Sequence, residues 1–383
     1  MNRTELCIVS GKRTPIGSIG KSLRQVPSPF LLAQALKGLK NLVPESWLGC
    51  GVFACALQKG LGINPSKQGL YLAGFDRLNS FTINTGHTGG IKSLILACQE
   101  LLMGSSGALC GGFDSSSLSP HVLLGRSGWK VSSGIIDTLP QAYTSSTGIH
   151  YGLAIEELNI TYNISRVEQE TYSRYAFKRR NLCQKIKYFN EEIVALDVLI
   201  DDELCVYPEF EPISPLFYSK GSVTSLTTAL PSDGATVLLV ARKDAIEKLG
   251  IDYLVSVVDW VEKRGDPIKF PEILNKTVKG LLARNGLMID HVGLWEFNDF
   301  FATIPFLCCK ILDVKLENTN VTGGNLSLGD TLGASSARSV LNCARWMKIR
   351  EIEFGVVLST NCEGEIVVML LKGKIQDKKG EIY

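Results

Sequence analysis

Two glycine-rich turns stand immediately ahead of apolar-striped stretches, TGHTGG at 85–90 and VTGGNLSLGDTLGASSAR at 321–338. Such turns let backbone N–H groups approach a ligand, and phosphate is the first candidate. Neither fits the G-x-G-x-x-G spacing of a dinucleotide site or the Lys-Ser/Thr ending of a P-loop. The 11 cysteines run from Cys7 to Cys362 without a C-x-x-C pair, and the adjacent Cys308 and Cys309 lack zinc-ligand spacing. Buried reduced thiols and no metal centre are the expectation. The neighbours Asp201 and Asp202, and Glu156 and Glu157, cannot face one target and are read as solvated. The run Lys178, Arg179, Arg180 is read as a solvated helix face.

Composition narrows the function classes. Lys and Arg total 40 against 38 Asp and Glu, a formal charge of +2, which gives no electrostatic reason to expect nucleic acid or an anionic membrane as partner. A hydrophobic fraction of 45% is ordinary globular composition. The longest apolar stretches, such as 304–309, fall far below the ~20 residues of a membrane span. The first residues lack the apolar block of ~7–15 residues that marks a secretory signal, so a cytoplasmic location is expected.

The elements that must position any chemistry follow an α/β alternation. Strands are predicted at 6–10, 81–84, 108–112, 232–242, 254–263 and 292–298, and helices at 30–39, 165–183, 271–285 and 340–347. Between 83 and 104 the turn TGHTGG leads into a helix with Ile91, Leu94, Ile95, Cys98, Leu101 and Leu102 on its apolar face, closed by Gly104. The runs FGVVLST and IVVMLLKG, separated by NCEGE, suit a hairpin. One turn-to-helix junction in each half suggests duplicated α/β halves. The division read from the chain is 1–245 for a first half, with an inserted loop domain at about 113–220, and 246–383 for a second.

Six segments together resemble the thiolase family, over residues 6 to about 372. RTPIGSIGKSL (13–23) is similar to the family's N-terminal signature, and INTGHTGGIKS (83–93) stands where thiolases carry N-K-x-C-A-S-G-x-K. HYGLAIEEL (150–158) resembles H-M-G-x-T-A-E, and VTSLTTALPSDGA (223–235) resembles V-T-A-G-N-A-S-x-x-x-D-G-A. EFNDFFA (296–302) matches N-E-A-F-A, and GGNLSLGDTLGASSAR (323–338) matches G-G-A-I-A-L-G-H-P-x-G-A-S-G-x-R. The resemblance implies the thiolase fold: two similar α/β halves in a five-layered αβαβα arrangement, with an inserted loop domain. It also implies acyl-CoA or coenzyme A as ligand, no tightly bound cofactor, and assembly as a homodimer or tetramer.

Carried over residue by residue, the family pattern puts His87 where thiolases hold the nucleophilic cysteine, and Asp330 where they hold the histidine that activates it. Imidazole forms no durable thioester, and a carboxylate repels a developing oxyanion. Asn298 matches the asparagine that holds an oxyanion-hole water, and Asp299 is a shortened form of the usual glutamate. Cys362 falls at the second, acid/base cysteine, followed by Glu363, Gly364 and Glu365 in place of a glycine-rich turn. Around the pantetheine channel, Ala229 takes the place of a serine, Tyr151 replaces the methionine beside Gly152, and His150 matches the residue before it.

Three readings follow. The first is a thiolase-like acyl-CoA binder without covalent Claisen chemistry. The second is a hydrolase or base in which Asp330 orients His87, which requires the two within about 3.2 Å. The third is a structural or regulatory subunit paired with another thiolase-like chain.

Overall fold

The computed structural model describes residues 4–123, 134–203, 213–266 and 268–374. Its strands are β1 (Leu6–Arg13), β2 (Gly17–Ser18), β3 (Leu48–Ala54), β4 (Asn79–Ile83), β5 (Gly107–Ser115), β6 (His121–Leu123) and β7 (Ile135–Asp137). The later strands are β8 (Ser232–Arg242), β9 (Val255–Arg264), β10 (Leu294–Phe297), β11 (Phe354–Thr360) and β12 (Glu365–Gly373). The helices are α1 (Ser28–Lys37), α2 (Pro65–Ala73), α3 (Gly89–Leu102), α4 (Thr138–Ala142), α5 (Tyr151–Thr161) and α6 (Arg166–Lys185). They continue with α7 (Lys243–Lys248), α8 (Phe270–Arg284), α9 (Thr303–Leu312), α10 (Gly324–Leu328) and α11 (Ser335–Arg350).

The main sheet runs β10-β11-β12-β9-β1-β8-β5-β3-β4, with β2 paired to β8. Its two sides repeat one plan. In the first, β1 pairs antiparallel with β8, β8 antiparallel with β5, and β5 parallel with β3. In the second, β9 pairs antiparallel with β12, β12 antiparallel with β11, and β11 parallel with β10. Three residue pairs between β1 and β9, from Leu6↔Val257 to Ile8↔Val255, join the two.

Alternation along each strand sorts the side chains into layers. Phe53, Val237 and Leu239 face α1 and α2, whereas Val52, Leu238 and Val240 face a central layer of α3 and α11. Leu294, Val357 and Val367 face the same central layer from the other side, and Trp295, Val356 and Val368 face α8 and α9. The order is helix, sheet, helix, sheet, helix, the fold that the motifs imply. Helices α3 and α11 are covered by sheet on two sides and cross closely: a Cβ on Gly90 would lie 2.4 Å from the Ala337 nitrogen.

Several local expectations change. Of the six-residue stripe, Ile91, Leu94, Ile95, Cys98 and Leu101 are buried, but Leu102 at the last position of α3 is 50% exposed beyond the sheet. The second central helix begins at Ser335, five positions before the predicted 340, and α10 occupies part of what reads as an open turn. Glycine and serine hide the helical period there. The apolar stretch 304–309 is part of α9, whose Ile304, Leu307 and Cys308 pack under the second sheet. No described helix is long and apolar enough to cross a membrane.

The chain leaves the sheet after Ser115 and re-enters it at Ser232, carrying β6, β7 and α4–α6 between them. A capping box starts α6: Ser165 Oγ accepts from Glu168 N at 3.2 Å, and the Glu168 carboxylate accepts from Ser165 N at 2.7 Å. The basic run on this helix is not a solvated face. Arg179 donates to the Leu316 and Thr319 carbonyls and Arg180 to the Ser327 carbonyl, tying α6 to the second half, while Lys178 alone is exposed. The carboxylate pairs change likewise. Asp202 accepts from Arg13 at 2.6 and 2.9 Å, and the Glu156 carboxylate accepts from Ser222 N and Val223 N at 2.9 and 3.0 Å.

Candidate active site

His87 lies in a single 3₁₀ turn, Gly86–Thr88, that feeds directly into α3. Gly86 has φ 56°, a left-handed conformation that glycine adopts without penalty, and this lets the strand end of β4 bend into the helix. Asp330 lies in the second glycine-rich turn, just ahead of the 3₁₀ turn Leu332–Ala334 and α11. Its backbone is clamped from both sides: Asp330 N donates to the Leu230 carbonyl at 2.8 Å, and Ser232 N donates to the Asp330 carbonyl at 2.9 Å.

The two side chains meet in the protein interior. His87 Nε2 lies 2.8 Å from Asp330 Oδ2, and both residues are fully buried. Oδ2 also accepts from the Tyr143 hydroxyl at 2.9 Å, and Oδ1 accepts from Leu332 N at 3.0 Å and Ser335 Oγ at 2.8 Å. Burial acts to raise the Asp330 pKa, but the His87 charge and the bonds from His87, Ser335 and Tyr143 outweigh it and hold the carboxyl below its ordinary range. An ionised carboxylate only accepts, so Nε2 is the donor. The other ring nitrogen, Nδ1, has no hydrogen-bond partner.

Aromatic rings close the site. Phe300 stacks on the imidazole with centroids 3.8 Å apart and planes 10° from parallel, and Tyr151 lies 5.2 Å beyond Phe300. Ala229, 3% exposed, is fixed against the same residue by a bond from its N–H to the Phe300 carbonyl at 2.9 Å. His150 caps α5, its Nδ1 accepting from Gly152 N at 3.1 Å, with its ring 5.3 Å from Phe217 and 6.4 Å from Tyr143. Burial lowers the His150 pKa. The Phe217 ring covers Gly152, where an added Cβ would lie 1.9 Å from it. The four expected channel residues therefore do gather, but around phenyl rings packed onto one another.

Asn298 is fully buried at the end of β10, its Nδ2 donating to the His87 carbonyl at 3.0 Å and to Ser359 Oγ at 3.1 Å. Cys362 packs in the same apolar cluster as Tyr151, Phe300 and Ala229, and burial pushes its thiol up to about 11. The two glutamates after it hold the surroundings in place. Glu363 accepts from Ser146 N and Oγ at 2.6 and 2.7 Å, and Glu365 accepts from Thr88 Oγ1, beside His87, at 2.6 Å. Asp299 Oδ1 accepts from Asn325 N at 2.6 Å, and Gly324, at φ 67°, is required because a Cβ would sit 2.1 Å from its carboxylate. Among the described residues no three His, Cys, Asp or Glu side chains are grouped as a metal would need.

Residues 6–244 match the family model of the thiolase N-terminal domain, and residues 251–372 match that of the C-terminal domain. The chain belongs to the thiolase family. It is 28% identical to a probable acetyl-CoA acetyltransferase of Dictyostelium discoideum, over 97% of this chain and 94% of that one. It is also 28% identical to the human mitochondrial acetyl-CoA acetyltransferase, over 96% and 90%. The crystal structure of human mitochondrial 3-ketoacyl-CoA thiolase in complex with CoA shares the fold, with a TM-score of 0.91, 24% identity, and coverage of 97% and 98%.

Set against the thiolase motifs, two residues that complete this site were readable in the sequence and overlooked. Phe300 stands at the alanine of N-E-A-F-A, and Asn325 at the alanine of G-G-A-I-A. Tyr143 and Ser359 carry no such signal, because only the folded chain brings them to His87 and Asp330.

Proposed function

We propose that this thiolase-family chain associates with acyl-CoA or CoA but does not pass an acyl group through a covalent enzyme intermediate. The observation that carries this reading is the enclosed His87–Asp330 pair, with Nε2 to Oδ2 at 2.8 Å, at the helix start where the family motif has its nucleophilic cysteine. A thiolate elsewhere is disfavoured too. All ten cysteines among the described residues have thiols raised above the ordinary range, burial being the leading cause in each. Retention of Gly152, His150 and the whole fold supports continued recognition of the thioester ligand. Assembly into dimers or tetramers, and the division near residue 245, belong to the same proposal. The open sheet edge at β4, with Phe81 exposed, offers a pairing surface.

The test uses the purified chain with acetoacetyl-CoA and CoA. The expected result is no thiolysis, no acyl adduct by intact-mass spectrometry after acetyl-CoA, and measurable heat of CoA binding by calorimetry. Thiolysis abolished by His87→Ala overturns the reading. Absence of CoA binding together with co-purification of another thiolase-like chain selects the subunit role instead.

One observation favours a second reading, hydrolysis or proton abstraction without covalent capture. Asp330 fixes Nε2 and leaves Nδ1 without a partner, the arrangement of an oriented general base. Its signature is release of free CoA from acetyl-CoA without an acceptor, or deuterium uptake at the acetyl methyl, each lost in Asp330→Asn.

A further inference from the structure

A buried chain of three side chains ends on the backbone of His87. Arg338 Nη2 donates to Asn325 Oδ1, Asn325 Nδ2 donates to Asn298 Oδ1, and Asn298 Nδ2 donates to the His87 carbonyl and to Ser359 Oγ. Ser359 Oγ in turn donates to the same carbonyl at 3.0 Å. Arg338 is 3% exposed, and Asn325 and Asn298 are fully buried. An asparagine amide has an accepting end and a donating end of nearly equal shape, so sterics alone give neither asparagine a direction. A guanidinium removes that freedom because it only donates. It must meet the oxygen of Asn325, which turns the Asn325 NH₂ onto the oxygen of Asn298, and so turns the Asn298 NH₂ onto His87.

We infer that Arg338 and Asn325 are positioning residues that lock Asn298 with both amide protons committed to His87 and Ser359, leaving neither for a thioester oxygen or for a water beside it. This deepens the proposed function and rests on it, since it gives a reason why Asn298 supplies no oxyanion contact here. It is a feature of this chain's own substitution: the family motif has alanine at position 325, which has no amide to relay the direction. The two hydrogen bonds that the His87 carbonyl accepts, from Asn298 and Ser359, also pin the 3₁₀ turn and aim the imidazole at Asp330.

The lock is read in the ligand-free full chain, deuterated and ¹⁵N-labelled, by solvent exchange of the Asn298 side-chain amide protons. In Asn325→Asp the carboxylate still accepts from Arg338 but has nothing to donate to Asn298, and exchange is expected to rise about tenfold or more, the equivalent of one lost bond. Two variants at the other end separate direction from bulk. Arg338→Lys keeps a donor-only head and retains slow exchange. Arg338→Gln presents either end and loses it. Exchange unchanged in Asn325→Asp, or equal in the Lys and Gln variants, overturns the inference. Detection of thiolysis would remove the proposed function without altering these exchange rates, so the two failures are distinguishable.

Discussion

His87 and Asp330, 243 positions apart in sequence, form a buried pair with Nε2 2.8 Å from Oδ2. His87 stands in the 3₁₀ turn that leads into α3, and Asp330 stands just ahead of the 3₁₀ turn that leads into α11. Removing one partner from such a pair leaves the other desolvated and uncompensated. Asp330→Ala is expected to cost about 3–5 kcal/mol in urea unfolding. Replacing both, as His87→Leu with Asp330→Leu, recovers much of that loss. Strict additivity of the two single changes would count against a coupled pair.

The Phe300 ring is the cover over the imidazole. Diethyl pyrocarbonate treatment followed by peptide mass spectrometry is expected to label the exposed His121 and His291 and spare His87. Phe300→Ala removes the cover at a stability cost of about 3–5 kcal/mol, and His87 becomes labelled at its unpartnered Nδ1. Labelling of His87 in the unmodified protein would show that the enclosure is not maintained in solution.

Tyr143 donates one of four hydrogen bonds to the Asp330 carboxylate. Burial raises the Asp330 pKa, and the His87 charge with these bonds lowers it further than burial raises it. A carboxylate whose folded pKa is depressed contributes stability that is present above the ordinary value of 3.8 and lost as pH falls through the lowered one. Tyr143→Phe therefore costs about 1 kcal/mol at neutral pH and moves the acid-unfolding midpoint upward. Fluorescence-monitored acid titration checks the sign.

Glu296 and Asp299 work in the opposite direction. Burial is the leading cause in both, raising Glu296 to about 8 and Asp299 to about 7 against the attraction of Arg338. The folded chain then holds protons that the unfolded chain has released. The stability they contribute is complete below their ordinary values of 4.5 and 3.8 and is lost as pH rises through about 8 and about 7. Melting temperature is expected to decline between pH 6 and 9, and Glu296→Gln to flatten that decline. An unchanged slope in Glu296→Gln would assign the decline to other groups.

Much of the molecule was legible in one dimension. Strand runs such as TVLLVA and the period of Ile91, Leu94, Ile95 and Cys98 report burial directly, because a buried face repeats at the period of its backbone. Six motifs in family order named the fold, and with it the positions 87, 298, 330 and 362. What escaped was set by contacts between distant segments. Arg179 and Asp202 read as solvated because charge usually is, yet their partners lie 137 and 189 positions away. The sequence alone determined which residue types stand in each segment that resembles a family motif, since a motif is read in one dimension. Only the tertiary structure decided that His87 meets Asp330, that Phe300 seals the pair, and that Arg338 gives Asn298 its direction. Donor, acceptor and ring geometry are properties of neighbours in space, and no spacing along the chain encodes them.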